Sequence, residues 1–379
     1  MRIAVIGAGI AGLVAAAGLQ RDGHDVVIFE RRSHSDAVGA GLTLFGNAFE
    51  ALDLVGLGDT VRGVSSAAIA SMRAGQRSPS GGWLTTAPAS ATGSMRSVHR
   101  QDLHRALTDS LVPGTLHTGS PATVDPSGGP HIVLDHDTAR VDPVDLVIVA
   151  DGIHSPNRRV LGLDTGLHYA GYTAWRGVTS EPVDIHDEAG ETWGRGQIFG
   201  IVPLPDNRIY WFGTLNCPAG TIYPEEHAEV RRRFAGWHPP IQDCIAATPP
   251  GDLMRHDIYD LLTPLTSLTE RRTVLIGDAA HAMTPNLGQG AGQGIEDAAT
   301  LTVLLRGVSP ASLGAALTTY TEFRHARTTS IMQRSRWAAR VAQASHPLLA
   351  GLRDTALRLT PGGLLGAANR RMHRWPRPG

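Results

Sequence analysis

The sequence predicts an α/β fold: a Rossmann-like doubly wound domain, a β-sheet substrate domain inserted into it, and C-terminal helices. Three observations carry this expectation. Residues 2–6, 10–22 and 25–29 read as buried strand, helix and buried strand, the βαβ unit of a parallel sheet. Two later apolar runs, residues 144–150 and 273–277, repeat the buried-strand pattern and end at Asp151 and at Gly277-Asp278. Between them the character changes to β-rich segments at 169–178, 191–202 and 208–216, which predicts a separate sheet.

In chain order, Gly7 permits the tight turn out of the first strand, and Gly9 lets backbone N–H groups approach a pyrophosphate. Gly12 lets the helix pack closely on the sheet, so phosphates would lie at a helix N-terminus, where unpaired N–H groups favour an anion. Glu30, 18 residues beyond Gly12, is suited to accept hydrogen bonds from an adenosine ribose, and Arg31 beside it is grouped with the same contacts. An acidic residue there disfavours a 2′-phosphate, so FAD or NAD is expected rather than NADP. The competing reading is a glycine-rich turn that binds nothing.

Residues 75–93, rich in Ser, Gly, Pro and Ala, predict a loop with short strands rather than a helix. Residues 100–111 predict a helix through Leu103, Leu107 and Leu111, opening at Arg100. Residues 131–150 alternate and then close with the strand that delivers Asp151, at the strand end where ligands of open α/β sheets bind. Asp151-Gly152, with Ser155 and Arg158, is either a ligand-binding turn or a plain helix cap. Gly277-Asp278 repeats that arrangement and leads through Pro285 to Gly288, Gly290 and Ala291, before a helix expected over 289–305. That glycine-rich start either faces a flavin with its N–H groups or only permits close packing. Helices are expected from 311 to 344 and again before Pro376. The resulting division is 1–167 for the nucleotide domain's first part, 168–265 for the inserted sheet, 266–310 for the second part, and 311–379 for the helical region.

Composition narrows the function classes. At 379 residues the chain exceeds the roughly 250 to 300 at which single cores stop growing, so two packed domains are expected. A net charge of −1 gives no reason to expect nucleic acid or an anionic membrane as partner. All 34 basic residues are Arg, which excludes Schiff-base chemistry and a P-loop lysine. Cys217 and Cys244 lack the spacing of a zinc site or disulfide scaffold, so a reduced, cytoplasmic protein without a metal is expected. Residues 3–18 have the composition of a signal sequence, but the pattern runs on into the strand at 25–30.

With these motifs in this order and spacing, the chain resembles the class A flavoprotein monooxygenases, the para-hydroxybenzoate hydroxylase-like family, and the resemblance runs nearly end to end. It rests on Gly7 to Gly12, on Asp151-Gly152 with Ser155 and Arg158, and on Gly277-Asp278 with Pro285, Gly288 and Gly290. The resemblance implies a GR2-type FAD-binding domain holding FAD non-covalently, with Asp278 on the ribityl hydroxyls, Arg100 on the FAD, and the Asp-Gly segment serving both FAD and NAD(P)H. A single dinucleotide fingerprint fits permanent FAD and a transient NAD(P)H co-substrate. The implied activity is transfer of one atom of O2, through a flavin C4a-hydroperoxide, to an aromatic or heteroaromatic small molecule.

The substrate is then expected between the flavin and the inserted sheet, against Tyr172, Trp175, Arg176, Phe199, Tyr210 and Phe212. Tyr210 and Phe212 share strand parity and face one side, Trp211 the other. Tyr210 is the candidate catalytic residue, because it matches a tyrosine that related heteroaromatic hydroxylases use on a substrate oxygen. Tyr172, Trp175 and Phe199 also suit an ordinary core, and Arg176 suits either an acidic substrate or a carboxylate partner. Among rival functions, a flavin halogenase is disfavoured because that family uses a lysine, and this chain has none. A flavin oxidase or dehydrogenase stays open, as does a non-catalytic redox sensor acting through the basic segment 370–375. A monomer or homodimer is expected.

Overall fold

A computed structural model of the chain describes residues 1–33, 40–134, 143–361 and 372–378. Its first layer is a six-stranded sheet in the order Thr269–Glu270, Thr273–Leu275, Leu146–Val149, Arg2–Ile6, Asp25–Phe29, Leu116–His117. All neighbours are parallel except Thr269–Glu270. Helices cover a parallel sheet on both faces, which is why its central strands are apolar without alternation. Ile3 to Ile6 and all of Leu146–Val149 are buried. The first helix, Ile10–Arg21, and the helix Gly290–Leu304 pack on each other over this sheet, with Gly294 against Ala11.

The second layer is a seven-stranded sheet in the order Met254–Leu261, Leu167–Val178, Ile209–Asn216, Gln197–Pro203, Glu188–Trp193, Arg73–Arg77, Trp83–Thr86. The region 168–265, expected to form this layer by itself, supplies five of the strands. Arg73–Arg77 and Trp83–Thr86 arrive from the first part of the chain, Arg73–Arg77 pairing in parallel with Glu188–Trp193. The short strands expected within 75–93 are therefore present, followed by one helical turn, Ala89–Thr92. A small sheet of Gly41–Leu44, Arg96–His99 and Ser65–Ser66 lies between the two layers in sequence.

One face of the seven-stranded sheet is closed by the helices Glu226–Arg233 and Ile241–Ala246, neither of which the sequence reading anticipated. They bury Val230, Ile241, Cys244 and Ile245 against Trp175, Phe199, Ile201 and Trp211. Glu226–Arg233 buries only Val230, too little apolar periodicity to announce a helix. The long helix Leu313–Ala342 joins the layers: Tyr320 is in the core of the first and Ala339 packs on Tyr172 of the second.

Candidate functional site

Parallel strand order brings the three motifs together. Thr273–Leu275, Leu146–Val149 and Arg2–Ile6 lie side by side and parallel, so Gly277, Asp151 and Gly7 emerge together at the C-terminal end of the sheet. Gly7 has φ +105°, and a Cβ there would stand 2.5 Å from the Ala150 carbonyl oxygen. In front of Gly9 the nearest atom is 4.0 Å from an added Cβ, and no side chain caps the helix that begins at Ile10. Uncapped N–H groups facing open space at a helix N-terminus are what a pyrophosphate requires. Glu30 is held at the end of the next strand, its two carboxylate oxygens accepting the Ala8 and Arg32 N–H groups at 2.9 Å each, while Arg31 is exposed.

At the second motif Ser155 is the helix cap, its hydroxyl accepting the Arg158 N–H at 2.9 Å. Asp151 adds to the cap, its carboxylate also accepting the Asn157 N–H at 3.4 Å. One oxygen accepts from the Asn157 side chain at 2.9 Å, while Oδ1 is buried without a partner among the described residues. Burial raises the Asp151 pKa, and hydrogen bonds from Ser155 and Asn157 oppose that rise. An orphaned buried acceptor beside the fingerprint fits a ligand hydroxyl. Arg158 is buried and donates to Asp164 at 2.8 Å, to the Ile153 carbonyl at 2.8 Å and to the Ala279 carbonyl at 3.1 Å, which ties the second motif to the third.

At the third motif Asp278 is exposed, and its carboxylate has no hydrogen bond among the described residues. Its Oδ1 lies 4.0 Å from where a Gly290 Cβ would stand. Pro285 opens a short 3-10 turn that ends at Gly288 in the left-handed region, φ +62°, with Phe45 against it. The helix then starts at Gly290 with Ala291 half-buried. Arg100 is exposed at the first position of its helix. Open space at Gly9, free acceptors on Asp151 and Asp278, and an uncapped glycine-rich helix start together fit FAD.

Behind this segment lies a polar network that the sequence reading missed. Asn47 donates to Gln289 at 3.0 Å and to Glu296 at 2.7 Å. Arg324 donates to Glu296 at 2.5 Å, to Asp297 at 2.6 Å and to the Gln293 side chain at 2.8 Å. Asp297 also accepts the Gly277 N–H at 2.8 Å. Gln293, Glu296 and Asp297, the amide and carboxyl side chains of a helix otherwise built of apolar residues and two threonines, were the available signal.

Cross-strand register assigns the expected substrate residues to faces. Arg176 pairs with Phe212 and Val178 with Tyr210, so Tyr172, Arg176, Tyr210 and Phe212 share one face. That face looks toward the third motif, because the Tyr172 hydroxyl donates to Asn286 at 2.7 Å. Trp175 and Phe199 point the other way, into the core with Trp211, which removes them from the expected lining; Trp175 donates to Glu226 at 2.6 Å. Arg176 donates to the Tyr210 hydroxyl rather than to a carboxylate. At the open edge, His256 has its pKa lowered by partial burial and then by Arg176, Arg100 and Arg255, so cations converge there.

Of the basic C-terminal segment, Arg370 and Arg371 lie outside the described residues. Trp375 is buried, the Met372 carbonyl accepts from Arg327 at 3.1 Å, and His373 packs on Phe45 with ring centroids 4.4 Å apart. Among the described residues no cluster suits a metal ion, and no helix is long and apolar enough to cross a membrane.

Asp278→Ala is expected to lower FAD retention, since a charged acceptor for a ligand hydroxyl contributes about 1.5 to 3 kcal/mol. Flavin per folded protein after gel filtration reads the effect, and wild-type stoichiometry would count against it.

The FAD binding domain model matches residues 1–335. Aurachin C monooxygenase/isomerase of Stigmatella aurantiaca is 33% identical over 380 residues, covering 98% of this chain and 97% of that protein. 2-heptyl-3-hydroxy-4(1H)-quinolone synthase of Pseudomonas aeruginosa is 33% identical over 385 residues, with 98% and 97% covered. The crystal structure of Klebsiella pneumoniae HpxO with FAD and uric acid superposes with TM-score 0.88 at 28% identity, covering 98% of this chain and 96% of that one. Motif geometry and these matches agree on one conclusion: the chain belongs to the class A, para-hydroxybenzoate hydroxylase-like family of FAD-dependent monooxygenases.

Proposed function

We propose that the protein is an NAD(P)H-dependent monooxygenase that places one oxygen atom from O2 on a fused heteroaromatic ring of the quinolone class. The observation that carries this reading is the face of the seven-stranded sheet turned toward the third motif, where Arg176, Tyr210 and Phe212 stand in adjacent register positions and Tyr172 donates to Asn286. When bound, FAD supplies the redox chemistry, taking a hydride from the nicotinamide and passing one oxygen of O2 to the substrate while the other leaves as water. A relative matched over nearly the whole chain carries a 4(1H)-quinolone in its name, which supports a bicyclic substrate.

The side chains then have separate tasks. Arg176 donates to the Tyr210 oxygen, so the Tyr210 proton is free to point away from it toward a substrate oxygen. The adjacent cation also favours donation by that phenol. Phe212 lies over Gly200, where a Cβ would stand 2.1 Å from its ring, giving a flat apolar floor. Arg100, Asp151, Gly152, Asp278, Pro285, Gly288, Gly290 and Ala291 hold the flavin opposite that floor, together with Gly7, Gly9, Gly12, Glu30 and Arg31.

The test is a screen of quinolones, hydroxyquinolines, pyridines and phenols for faster NAD(P)H oxidation, with products weighed for one added oxygen. Substrate dehydrogenated without added oxygen and without NAD(P)H consumption, its electrons passing through the flavin to O2 or another acceptor, would replace this reading by an oxidase or dehydrogenase. Tyr210→Phe is expected to keep FAD and fold while diverting reducing equivalents to hydrogen peroxide, because oxygen transfer needs the ring carbon held in reach. Unchanged coupling and substrate affinity would return Tyr210 to a packing role.

A further inference from the structure

One carboxyl on the same face of the seven-stranded sheet, that of Glu191, has no task yet. Glu191 pairs in register with Gly200, Gly200 with Phe212, and Phe212 with Arg176, so these four residues form one row across that face of the sheet. At Gly200 there is no side chain, and the ring of Phe212 fills the place. Glu191 and the Arg176–Tyr210 pair therefore stand at opposite ends of an aromatic floor. Glu191 is half-buried, and its Oε2 accepts the Trp193 indole N–H at 2.7 Å. Its Oε1 has no hydrogen bond and the carboxylate no ion pair among the described residues. Facing it are Tyr172 and Arg176 on one strand, Tyr210 on the next, Gln76 on the neighbouring strand, His256 at the open edge, and Arg353, which stacks on Trp193 at 5.4 Å.

Building on the proposed function, we propose that Glu191 is the catalytic base toward the substrate, its Oε1 taking the proton of a ring N–H conjugated to the carbon that receives oxygen. As the N–H proton passes to Glu191, the nitrogen pair moves into the ring and the C=C pair forms the new C–O bond to the oxygen delivered from the flavin side. The same carbon then loses its hydrogen as a proton to the other oxygen atom of O2, which leaves as water, aromaticity returns, and Glu191 gives its proton back to nitrogen. Arg176 and Tyr210 hold the ring carbonyl oxygen at the far end of the floor. The site therefore selects a ring with a donor on one edge and an acceptor on the other, as in a 4(1H)-quinolone. Loss of solvent around the carboxyl raises its pKa, with the Trp193 bond opposing, which moves the base toward neutral pH where proton transfer is most effective.

The experiment uses FAD-loaded enzyme with 2-heptyl-4(1H)-quinolone and its N-methyl analogue. In wild type, kcat/KM for the N–H compound should rise with pH along a limb above the usual carboxylate range. Glu191→Gln keeps an acceptor for Trp193, and should retain FAD and its quinolone-induced flavin difference spectrum. It should lose the pH limb and lower product formation by about 100-fold or more. The N-methyl compound, which has no proton to give, should perturb the flavin spectrum of wild type without being oxygenated. Wild-type turnover of the N-methyl compound, or an unchanged pH limb in Glu191→Gln, would overturn the role of Glu191 and leave the monooxygenase reading standing. A wild-type enzyme whose flavin spectrum and NAD(P)H oxidation ignore both compounds would instead overturn the quinolone reading, and the proposal with it.

Discussion

Arg324→Met is expected to destabilise the protein by about 3 to 5 kcal/mol, because removing one partner of a buried ion pair leaves its counter-charges uncompensated. The guanidinium is fully buried and serves two carboxylates at once, Glu296 at 2.5 Å and Asp297 at 2.6 Å, both also fully buried. Burial by itself would raise both carboxyl pKa values. Arg324, His281 and Arg327 overcome that and hold Asp297 and Glu296 below their ordinary range. A carboxylate whose folded pKa is depressed contributes stability that is complete above its unfolded pKa and is lost as pH falls through the folded value. Wild type should therefore keep this contribution at neutral pH and lose it only in acid, below about pH 4. In the variant, burial acts without its counterweight, and stability should begin to fall at higher pH. Flavin should be lost too, since Asp297 fixes the Gly277 N–H and Glu296 fixes Asn47 behind the glycine-rich turn. Urea midpoints across pH, paired with flavin stoichiometry, measure both effects, and a variant within 1 kcal/mol of wild type by the usual linear extrapolation, roughly, would refute the account.

The nucleotide-binding half was legible because each of its rules is local. Gly7, Gly9 and Gly12 answer to one turn and one helix start, and Glu30 is placed by a strand whose apolar run is unbroken. Strand parity likewise put Tyr210 and Phe212 on one face and Trp211 on the other, as the register has it. What parity within one strand cannot supply is the phase between strands. Trp175 and Phe199 were grouped with Tyr210 as aromatics of the same sheet, but the register pairs Gly213 with both of them, one residue out of phase with Phe212. Two short helices then bury that other face. Glu191 escaped notice for the same reason: its place opposite Arg176 exists only once three strands are aligned. The Arg324 network was equally hidden, its members being spread from Asn47 to Arg327. The two strands at 73–86 joined the far sheet through a parallel pairing that no local pattern announces.

Gly12→Ala is expected to abolish FAD loading, although alanine is intrinsically the better helix former by about 1 kcal/mol. The added Cβ would stand 2.1 Å from the Gly7 carbonyl oxygen and 3.3 Å from Ala150 Cβ. Relief requires the helix to back away from the turn. Leu13, Val14, Ala15 and Ala16 behind it are fully buried, so that movement disturbs a packed core and costs about 1 to 3 kcal/mol or more. The ligand suffers a second loss, because the N–H groups of the helix start are carried off the pyrophosphate, and each hydrogen bond to a charged group is worth about 1.5 to 3 kcal/mol. Gly23→Asn provides the control: its φ of +83° also favours glycine, but nothing lies within 4 Å of an added Cβ. Asparagine tolerates that conformation better than most residues. The control should bind FAD normally with a slightly lower melting temperature, whereas Gly12→Ala should be recovered colourless or insoluble. A yellow Gly12→Ala protein with full flavin content would mean that the helix start can shift without cost, and that the close approach of Gly12 to Gly7 does not position the phosphates.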